Sequence, residues 1–447
     1  MRKSILFVLL LSLLLASCAT PTPQALQATQ VPPTQAPKTT TPPTVAPTTP
    51  PTQPPAPKAV EIEFWHSLTG DFGKVLEQLV NDYNKAQSAV IVWSVYKGNY
   101  QDTQKALLAA LAANGAPAVA QLEVSFAASM AAKGALKPVQ DFFMDAKTGI
   151  SDKEASAIYP GFRDANSQKG VMFTMPFNTS MPVLYYNADM LAKAKITTPE
   201  NWADFLKACK DVTTKDQFGF TINSGNVWIY EAMIWQNGGE LFNKDYTKAM
   251  FNEAAGVEAL KSWVDMLEAG CGKMQKWDEG RTEFFTGKVA FLEDSSGSLR
   301  GMLKSVNFKM GVSHLPWGKN KVVTIGGGSL GLFAASSKEN QAAAWDFVKF
   351  MTSPTAISRL CADTGYLPMT SLAVDLDPLK STIAKDALFA NMLKDLSYTR
   401  PRPMVANYAE IQNQIKAAIE NALLKKKTPQ EALDAAAGEA NRILTTR

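Results

Sequence analysis

PFNTSMPVLYYN, residues Pro176–Asn187, is the stretch that decides the fold. Its first half holds a proline and small polar residues, and its second half, Val183–Tyr186, is an apolar and aromatic run typical of a strand. This order predicts a strand that leaves one lobe, crosses a cleft and becomes the first strand of a second lobe. Thr179 and Ser180 would lie at the crossing, where hydroxyl and backbone groups face a ligand. On local pattern alone, an ordinary buried strand after a loop is the alternative.

Length and composition set broad limits on the protein. The chain has 447 residues, which is enough for two to three domains, with 46% hydrophobic and 19% charged residues, as in soluble globular proteins. The net charge of +4 does not force a strongly basic face, so we expect no nucleic-acid partner. Four cysteines are too few for a disulfide scaffold.

The first 17 residues have the pattern of a secretory signal peptide. Arg2 and Lys3 precede the apolar run Ile5–Ala16, which is too short to span a bilayer by itself. The run ends in Leu-Ala-Ser-Cys, which resembles a bacterial lipobox and implies cleavage before Cys18 and acylation of its thiol. A plain signal-peptidase site beside a chance cysteine is the alternative. Multiple acyl chains on Cys18 would hold the protein stably on the outer face of the cytoplasmic membrane.

A low-complexity segment follows, and with Cys18 it makes up residues 18–58. Pro21–Lys58 contains 13 prolines and 10 threonines in 38 residues. Such a composition cannot bury a core and favours extended polyproline II structure. We therefore interpret this segment as a tether between the lipid and a folded body.

Three further cysteines, Cys209, Cys271 and Cys361, lie in the body. One pair could form a disulfide in the oxidising exterior, but the spacing does not say which pair. Their separations match no zinc pattern, so we expect neither a metal site nor a cofactor.

The start of the body alternates between strands and helices. The predicted strands are Val60–Trp65, Val90–Tyr96 and Ala116–Leu122, and the helices between them are Phe72–Gln87 and Gln101–Ala113. This alternation is typical of an open α/β sheet, whose ligands bind at the carboxyl ends of the strands.

Two later stretches predict further crossings. Asp294–Ser298 is a polar run between a strand and a helix, and Ile325–Ser329 has three glycines that allow a backbone to approach a ligand closely. A plain flexible turn is the alternative at the glycines. Three crossings predict an α/β fold of two interleaved lobes joined by crossing strands, with a hinge between them. We assign residues 59–178 with 290–328 to the first lobe, and residues 179–289 with 329–447 to the second.

Several segments together resemble ABC-transporter extracellular solute-binding proteins of family 1, the maltose-binding class. The matching segments are FWHS at 64–67, YKGNY at 96–100, PFNTSMPVLYYN at 176–187, SSGSL at 295–299, IGGGSL at 325–330, TGYLP at 364–368 and KKTPQEAL at 426–433. Within that class they are most similar to glycerol-phosphate-binding members. The resemblance implies a two-lobe (class II) periplasmic-binding-protein fold, a glycerol-phosphate or sugar ligand, ABC permease subunits as partners and a monomer.

The resemblance also implies a set of ligand-binding residues. These are Tyr100, Glu123, Ser180, Trp228, Ser295, Gly327 and Tyr366. Phenol and indole faces would cover C–H surface, while carboxylate, hydroxyl and glycine N–H groups would bind hydroxyls. Each residue alone also has an ordinary structural interpretation, as a surface aromatic, a core tryptophan or a capping serine.

One position departs from the resemblance. An arginine that pairs with phosphate in glycerol-phosphate-binding members corresponds here to Met404, within RPRPMVANY. Arg400 and Arg402 lie close by and are candidates to replace it, although a displaced guanidinium is not equivalent at a bidentate site. A neutral glycerol derivative or a sugar therefore stays open as the ligand.

The sequence offers little for catalysis. Its two histidines, His66 and His314, lie far apart, and no zinc-protease, nucleophile-elbow or Walker pattern is present. We expect a binding protein and no enzyme. An anchored hydrolase with Glu123 as general base and a surface adhesin on a stalk are the rival hypotheses.

Overall fold

The computed structural model describes residues 58–143, 145, 147–403, 405 and 407–445. The predicted signal peptide, Cys18 and all of the tether except Lys58 lie outside the described residues, as does Met404. Within the described ranges, no helix combines the length and the apolar character needed to cross a membrane.

The strands and helices are numbered in chain order. The strands are β1 (Val60–His66), β2 (Val90–Tyr96), β3 (Val119–Glu123), β4 (Leu136–Lys137), β5 (Ser167–Gln168), β6 (Val171–Met172), β7 (Thr174–Ser180), β8 (Pro182–Asn187), β9 (Phe218–Asn223), β10 (Gly272–Gln275), β11 (Val289–Ser295), β12 (Met310–Ser313), β13 (Val323–Thr324), β14 (Gly326–Phe333) and β15 (Thr399–Arg400). The helices are α1 (Gly70–Ala86), α2 (Tyr100–Ala112), α3 (Val124–Ala132), α4 (Gln140–Phe143), α5 (Asp152–Ala157), α6 (Pro160–Ala165), α7 (Ala188–Ala194), α8 (Trp202–Val212), α9 (Val227–Gln236), α10 (Ala254–Glu268), α11 (Trp277–Phe285), α12 (Leu299–Ser305), α13 (Lys338–Met351), α14 (Pro354–Thr364), α15 (Leu379–Lys385), α16 (Ala387–Leu393), α17 (Tyr408–Leu423) and α18 (Pro429–Thr445).

The first lobe is built on a six-stranded mixed sheet. Its order is β2-β1-β3-β14-β4, and β7 also pairs with β14. β1 is parallel to β2 and β3, as the alternation of strands and helices predicts, whereas β14 runs antiparallel to β3 and β7. The apolar face of α1 and the helices α13 and α14 pack against this sheet because their buried residues recur at helical spacing.

The second lobe is built on a five-stranded sheet of order β10-β9-β11-β8-β12. β9, β10 and β11 are parallel, so their carboxyl ends lie at one edge. The helices α8, α9, α10, α17 and α18 contribute to the core on one side. A disulfide joins Cys209 of α8 to Cys271 before β10, and Cys361 is buried with a free thiol. The structure thereby selects one of the pairings that the sequence left open.

The predicted crossing at Pro176–Asn187 is present. β7 ends at Ser180 in the first sheet, and β8 begins at Pro182 in the second. A second crossing lies at Ile325, between β13 and the start of β14 in the first sheet. β13 pairs in parallel with β15, after which the chain returns to α17 of the second lobe. This third crossing was not predicted.

The prediction of a crossing at Asp294–Ser298 is wrong. β11 pairs with β8 and β9 up to this run, and β12 after it also pairs with β8, so the chain stays in the second lobe. The assignment to the first lobe is therefore corrected for residues 290–325, whereas 326–328 belong to β14 of the first sheet, as assigned. The assignment of residues 329–447 to the second lobe is corrected for 329–333, which complete β14, and for helices α13 and α14, which pack against the first sheet. A polar run at a strand end marks the rim of a sheet, whether or not the chain then changes lobe.

Candidate ligand-binding site

A network of side-chain hydrogen bonds surrounds Tyr100, the first residue of α2. Asn178 of β7 donates from Nδ2 to the Tyr100 hydroxyl at 3.0 Å, and Gln121 of β3 donates to the same oxygen at 3.3 Å. Gln121 also donates to Asn178 Oδ1 at 2.9 Å and accepts from the Ser67 backbone N–H at 2.9 Å. Because the Tyr100 oxygen accepts from two amides, its own O–H remains available to donate to a ligand.

Tyr366 lies close to Asn178, whose side-chain hydrogen bond acts to lower the pKa of Tyr366. It follows the turn at Gly365, and its ring packs against Phe72 at 5.2 Å between centroids and against Gly297. A Cβ atom at Gly297 would lie 2.5 Å from Tyr366 Cε1, so only glycine allows this approach. Burial raises the pKa of Tyr366 to about 12 and that of Tyr100 well above its ordinary value. Both phenols are therefore neutral at physiological pH and can donate hydrogen bonds.

Three consecutive glycines at the start of β14 bring the predicted residues together. A Cβ at Gly326 would lie 2.5 Å from Trp228 Cζ2, and one at Gly328 would lie 2.9 Å from the Tyr100 hydroxyl. Gly327 has a φ of +88°, and a Cβ there would lie 2.0 Å from the Asn178 carbonyl oxygen. Glycine is needed at these positions because the backbone of the second crossing passes directly between side chains of both lobes.

Trp228 presents an unsatisfied donor at this point. It lies in the first turn of α9, and its carbonyl accepts from Thr324 Oγ1 at 3.0 Å. Its indole Nε1 is buried and has no hydrogen-bond partner among the described residues. Buried donors in proteins are nearly always paired, so this N–H is a candidate ligand contact.

The two predicted serines are placed differently. Ser180 is buried at the end of β7, pairs with Gly326 in the sheet and lies next to Gly327. Ser295 ends β11, and its hydroxyl accepts from the backbone N–H of Gly297 at 3.2 Å. Ser295 therefore caps the turn that carries Gly297 towards Tyr366, and it reaches the cluster through that turn.

Glu123 ends β3 and caps α3. Its Oε2 atom accepts from the backbone N–H groups of Ser125 and Phe126 at 3.0 and 3.2 Å. Its Oε1 atom accepts from Arg402 Nη1 at 3.1 Å, and the charge of Glu123 contributes to the raised pKa of Tyr100. The carboxylate is thus held at the edge of the cluster by both the first lobe and the third crossing.

The structure separates the two candidate arginines. Arg402 is buried and pairs with Glu231 of α9 through two hydrogen bonds of 2.7 and 3.2 Å, in addition to Glu123. Arg400 lies at the surface, where it pairs with Glu240 at 2.6 Å and stacks on Trp235 at 4.3 Å. Among the described residues, Arg402 contacts the predicted site residue Glu123, whereas the side-chain partners of Arg400 are Glu240 and Trp235.

Several residues of the cluster were not predicted from the sequence. Gln121 and Asn178 lie near strand ends, where the carboxyl-end rule for α/β sheets could have indicated them. Glu231 is the one charged residue in the apolar helix α9, and such a buried carboxylate requires a partner. Arg281 donates to Asp294 and to Ser298, each at 2.7 Å. Its positive charge acts to lower the pKa of Tyr366, so a cation of the second lobe lies near the cluster.

His66 and His314 each lie beside polar and aromatic partners. His66 Nε2 lies 3.0 Å from Ser94 Oγ, and burial lowers its pKa. His314 stacks on Trp317 and lies 3.3 Å from Glu200. No group of three or more histidine, cysteine, aspartate or glutamate residues in the described part of the chain could hold a metal ion.

Comparison with known proteins identifies the class. A family model described as bacterial extracellular solute-binding protein matches residues 78–391, and the chain belongs to this family. The sn-glycerol-3-phosphate-binding periplasmic protein UgpB of Pectobacterium atrosepticum is 29% identical over 412 residues, which cover 87% of this chain and 92% of that protein. The protein of that name from Escherichia coli is 29% identical over 405 residues, with 86% and 92% covered.

Solved structures share the fold. UgpB from Mycobacterium tuberculosis in complex with glycerophosphocholine superposes with a TM-score of 0.79 at 22% identity, covering 86% of this chain and 98% of that one. The cyclic alpha-maltosyl-1,6-maltose binding protein from Arthrobacter globiformis gives a TM-score of 0.75 at 22% identity, covering 87% and 100%. The predicted family and the two-lobe α/β fold are confirmed.

Proposed function

We propose that the protein is the substrate-binding component of an ABC importer and binds a glycerol phosphate or a related polyol between its two lobes. The observation that carries the proposal is the convergence at Gly326–Gly328. Tyr100 and Glu123 come from the first lobe, Trp228 comes from the second, and Ser180 comes from the first crossing.

The chemistry of this cluster suits a polyol. Neutral phenols and the Trp228 indole N–H, which has no partner among the described residues, can donate to ligand oxygens, and the Glu123 carboxylate can accept from ligand hydroxyls. The rings of Tyr366 and Trp228 offer apolar faces to C–H groups. Relatives named as sn-glycerol-3-phosphate-binding proteins support the glycerol-phosphate assignment.

A sugar is the second candidate ligand. Arg402 is already paired with two carboxylates, which weakens the case for a phosphate contact at that guanidinium. The structural neighbours include a protein named for binding a cyclic maltosyl-maltose. An uncharged oligosaccharide would use the same hydroxyl-binding groups.

Binding would proceed by closure of the lobes. The crossings at Ser180–Pro182, at Ile325 and after Arg400 are the segments about which the lobes would rotate. A ligand that contacts both lobes binds the closed form more tightly and so shifts the population towards it. The closed form would then dock on the permease.

The proposal also covers the membrane anchoring of the protein and its oligomeric state. Acylation of Cys18 would anchor it on the outer face of the cytoplasmic membrane, and residues 18–58 would act as the tether. The body would function as a monomer and would not turn its ligand over.

Calorimetric titration of the pure body with sn-glycerol 3-phosphate, glycerophosphocholine and maltotriose tests the function. We expect saturable binding of at least one solute and no turnover after prolonged incubation. Turnover would favour the anchored hydrolase, and the absence of heat and thermal shift with every solute would favour an adhesin.

A further inference from the structure

All three nitrogens of the Arg402 guanidinium already donate to carboxylates. Nε and Nη2 donate to the two oxygens of Glu231 at 2.7 and 3.2 Å, and Nη1 donates to Glu123 at 3.1 Å. The Arg402 side chain is 7% exposed and that of Glu231 is fully buried. Burial alone would lower the pKa of Arg402, but the charges of Glu231 and Glu123 outweigh it and raise that pKa.

Glu231 is held firmly in place. Its Oε1 atom also accepts from the Tyr408 hydroxyl at 2.7 Å and from Gln412 Nε2 at 3.3 Å, both on α17. The acceptor sites of this oxygen are therefore saturated, and α9 and α17 fix the carboxylate from two sides. Three of the five Arg402 N–H groups are used in these bonds, and turning the guanidinium towards a ligand would leave a buried carboxylate unpaired, which is costly.

Glu123 has a different balance of partners. Its Oε2 atom accepts from Ser125 and from the Phe126 backbone N–H, whereas the one donor to its Oε1 atom among the described residues is Arg402. A carboxylate oxygen has two acceptor sites, so Oε1 can take one further donor. The Glu123 side chain is 19% exposed, so that donor can come from a ligand.

From this geometry we infer that Arg402 is a positioning residue, which holds the Glu123 carboxylate in place to accept a hydrogen bond from a ligand hydroxyl. Glu231 neutralises Arg402 and keeps its guanidinium from binding a ligand phosphate. The inference rests on the proposed function and narrows its ligand class. At this end the site selects a solute by a hydroxyl group of a polyol or sugar, and it disfavours a phosphomonoester. A phosphomonoester there would meet the negative charge of Glu123 and an arginine that is already neutralised.

The test compares ligand selectivity in matched variants. Calorimetry measures Kd of the wild type for sn-glycerol 3-phosphate, glycerophosphocholine and maltotriose. We expect one of the latter two to bind at least tenfold more tightly than sn-glycerol 3-phosphate. Glu231→Gln should shift this ratio at least tenfold towards sn-glycerol 3-phosphate, because Arg402 loses its main counter-charge.

Two further variants keep the test decisive. Glu240→Gln removes a carboxylate from the surface arginine Arg400 and should leave the ratio unchanged. If Glu231→Gln fails to fold, Glu123→Gln takes its place, since its carboxylate is partly exposed. That variant should weaken the preferred solute and improve binding of sn-glycerol 3-phosphate.

The outcomes separate this inference from the proposed function. Tighter binding of sn-glycerol 3-phosphate by the wild type overturns the inference and leaves the importer function standing. An unchanged selectivity ratio in Glu231→Gln, or in Glu123→Gln where it takes the place of Glu231→Gln, also overturns the inference and leaves the importer function standing. Failure of all three solutes to bind the wild type removes the proposed function and the inference with it.

Discussion

Arg400 and Arg402 are two residues apart, yet their surroundings are opposite. Arg400 forms an exposed pair with Glu240 and covers Trp235, whereas Arg402 is buried between Glu231 and Glu123. Exposed ion pairs contribute little to stability because water screens them. Buried pairs are costly to break because the remaining charge is left without solvent. From this comparison we expect the candidate site to depend on the buried Arg402 and not on the exposed Arg400.

The largest expected effect is on stability. Glu231→Ala leaves the Arg402 charge buried with only Glu123 as a carboxylate partner, and we expect the free energy of unfolding to fall by about 3–5 kcal/mol. Urea denaturation followed by circular dichroism measures it. Glu240→Ala, the matched control at the surface, should change stability by less than about 1 kcal/mol. Equal effects of the two substitutions would contradict the difference between the pairs.

Glu293 extends the comparison to a buried carboxyl group that pairs with no arginine in the described part of the chain. Its Oε1 atom has no hydrogen-bond partner among the described residues, and burial raises the pKa of this carboxyl to about 8. The folded state therefore keeps a proton that the unfolded chain releases near its ordinary value of 4.5, and wild-type stability falls as pH rises between these values.

Glu293→Gln removes the fall in stability that the wild type shows as pH rises. Relative to wild type, the variant should gain a few kcal/mol of stability between about pH 5 and pH 8, because each pKa unit is worth about 1.4 kcal/mol. Denaturation midpoints across that range measure the gain. A pH-independent difference would show that Glu293 is solvated or paired.

A smaller effect is expected on ligand binding. Arg402→Lys keeps the charge but loses the fork that joins Glu231 and Glu123, so solute affinity should fall by about one to two decades. Arg400→Lys should leave affinity unchanged, since its pair lies at the surface. Calorimetric titration of both variants measures these changes in solute affinity. Equal losses would mean that the crossing strand as a whole, and not Arg402, supports the site.

The two-lobe fold could be predicted from the sequence because short stretches of the chain indicate its strands, helices and crossings. The alternation of strands and helices, the stretch Pro176–Asn187 and the glycines at 326–328 each mark a feature of the chain itself. The prediction at Asp294–Ser298 was wrong because a polar strand end has the same composition whether the chain then crosses to the other lobe or stays in the same one. The third crossing follows the short strand β15, which has no distinctive pattern.

The site could be predicted only in part. Tyr100, Ser180, Trp228, Gly327 and Tyr366 come together around the second crossing, whereas Ser295 reaches the cluster only through Gly297. The pairing of Arg402 with Glu231 spans 171 residues, and no local pattern encodes such a contact. A single glutamate in an apolar helix was the one available signal of that pair.

The most direct test of the central claim is the affinity of Trp228→Ala and Tyr100→Ala for the solute that the wild type binds most tightly. These residues belong to different lobes, and both approach the glycines of β14. We predict that each substitution raises Kd at least tenfold, equivalent to about 1.4 kcal/mol, while the exposed control Trp93→Ala leaves Kd unchanged. Wild-type affinity in both variants would contradict a binding site shared by the two lobes.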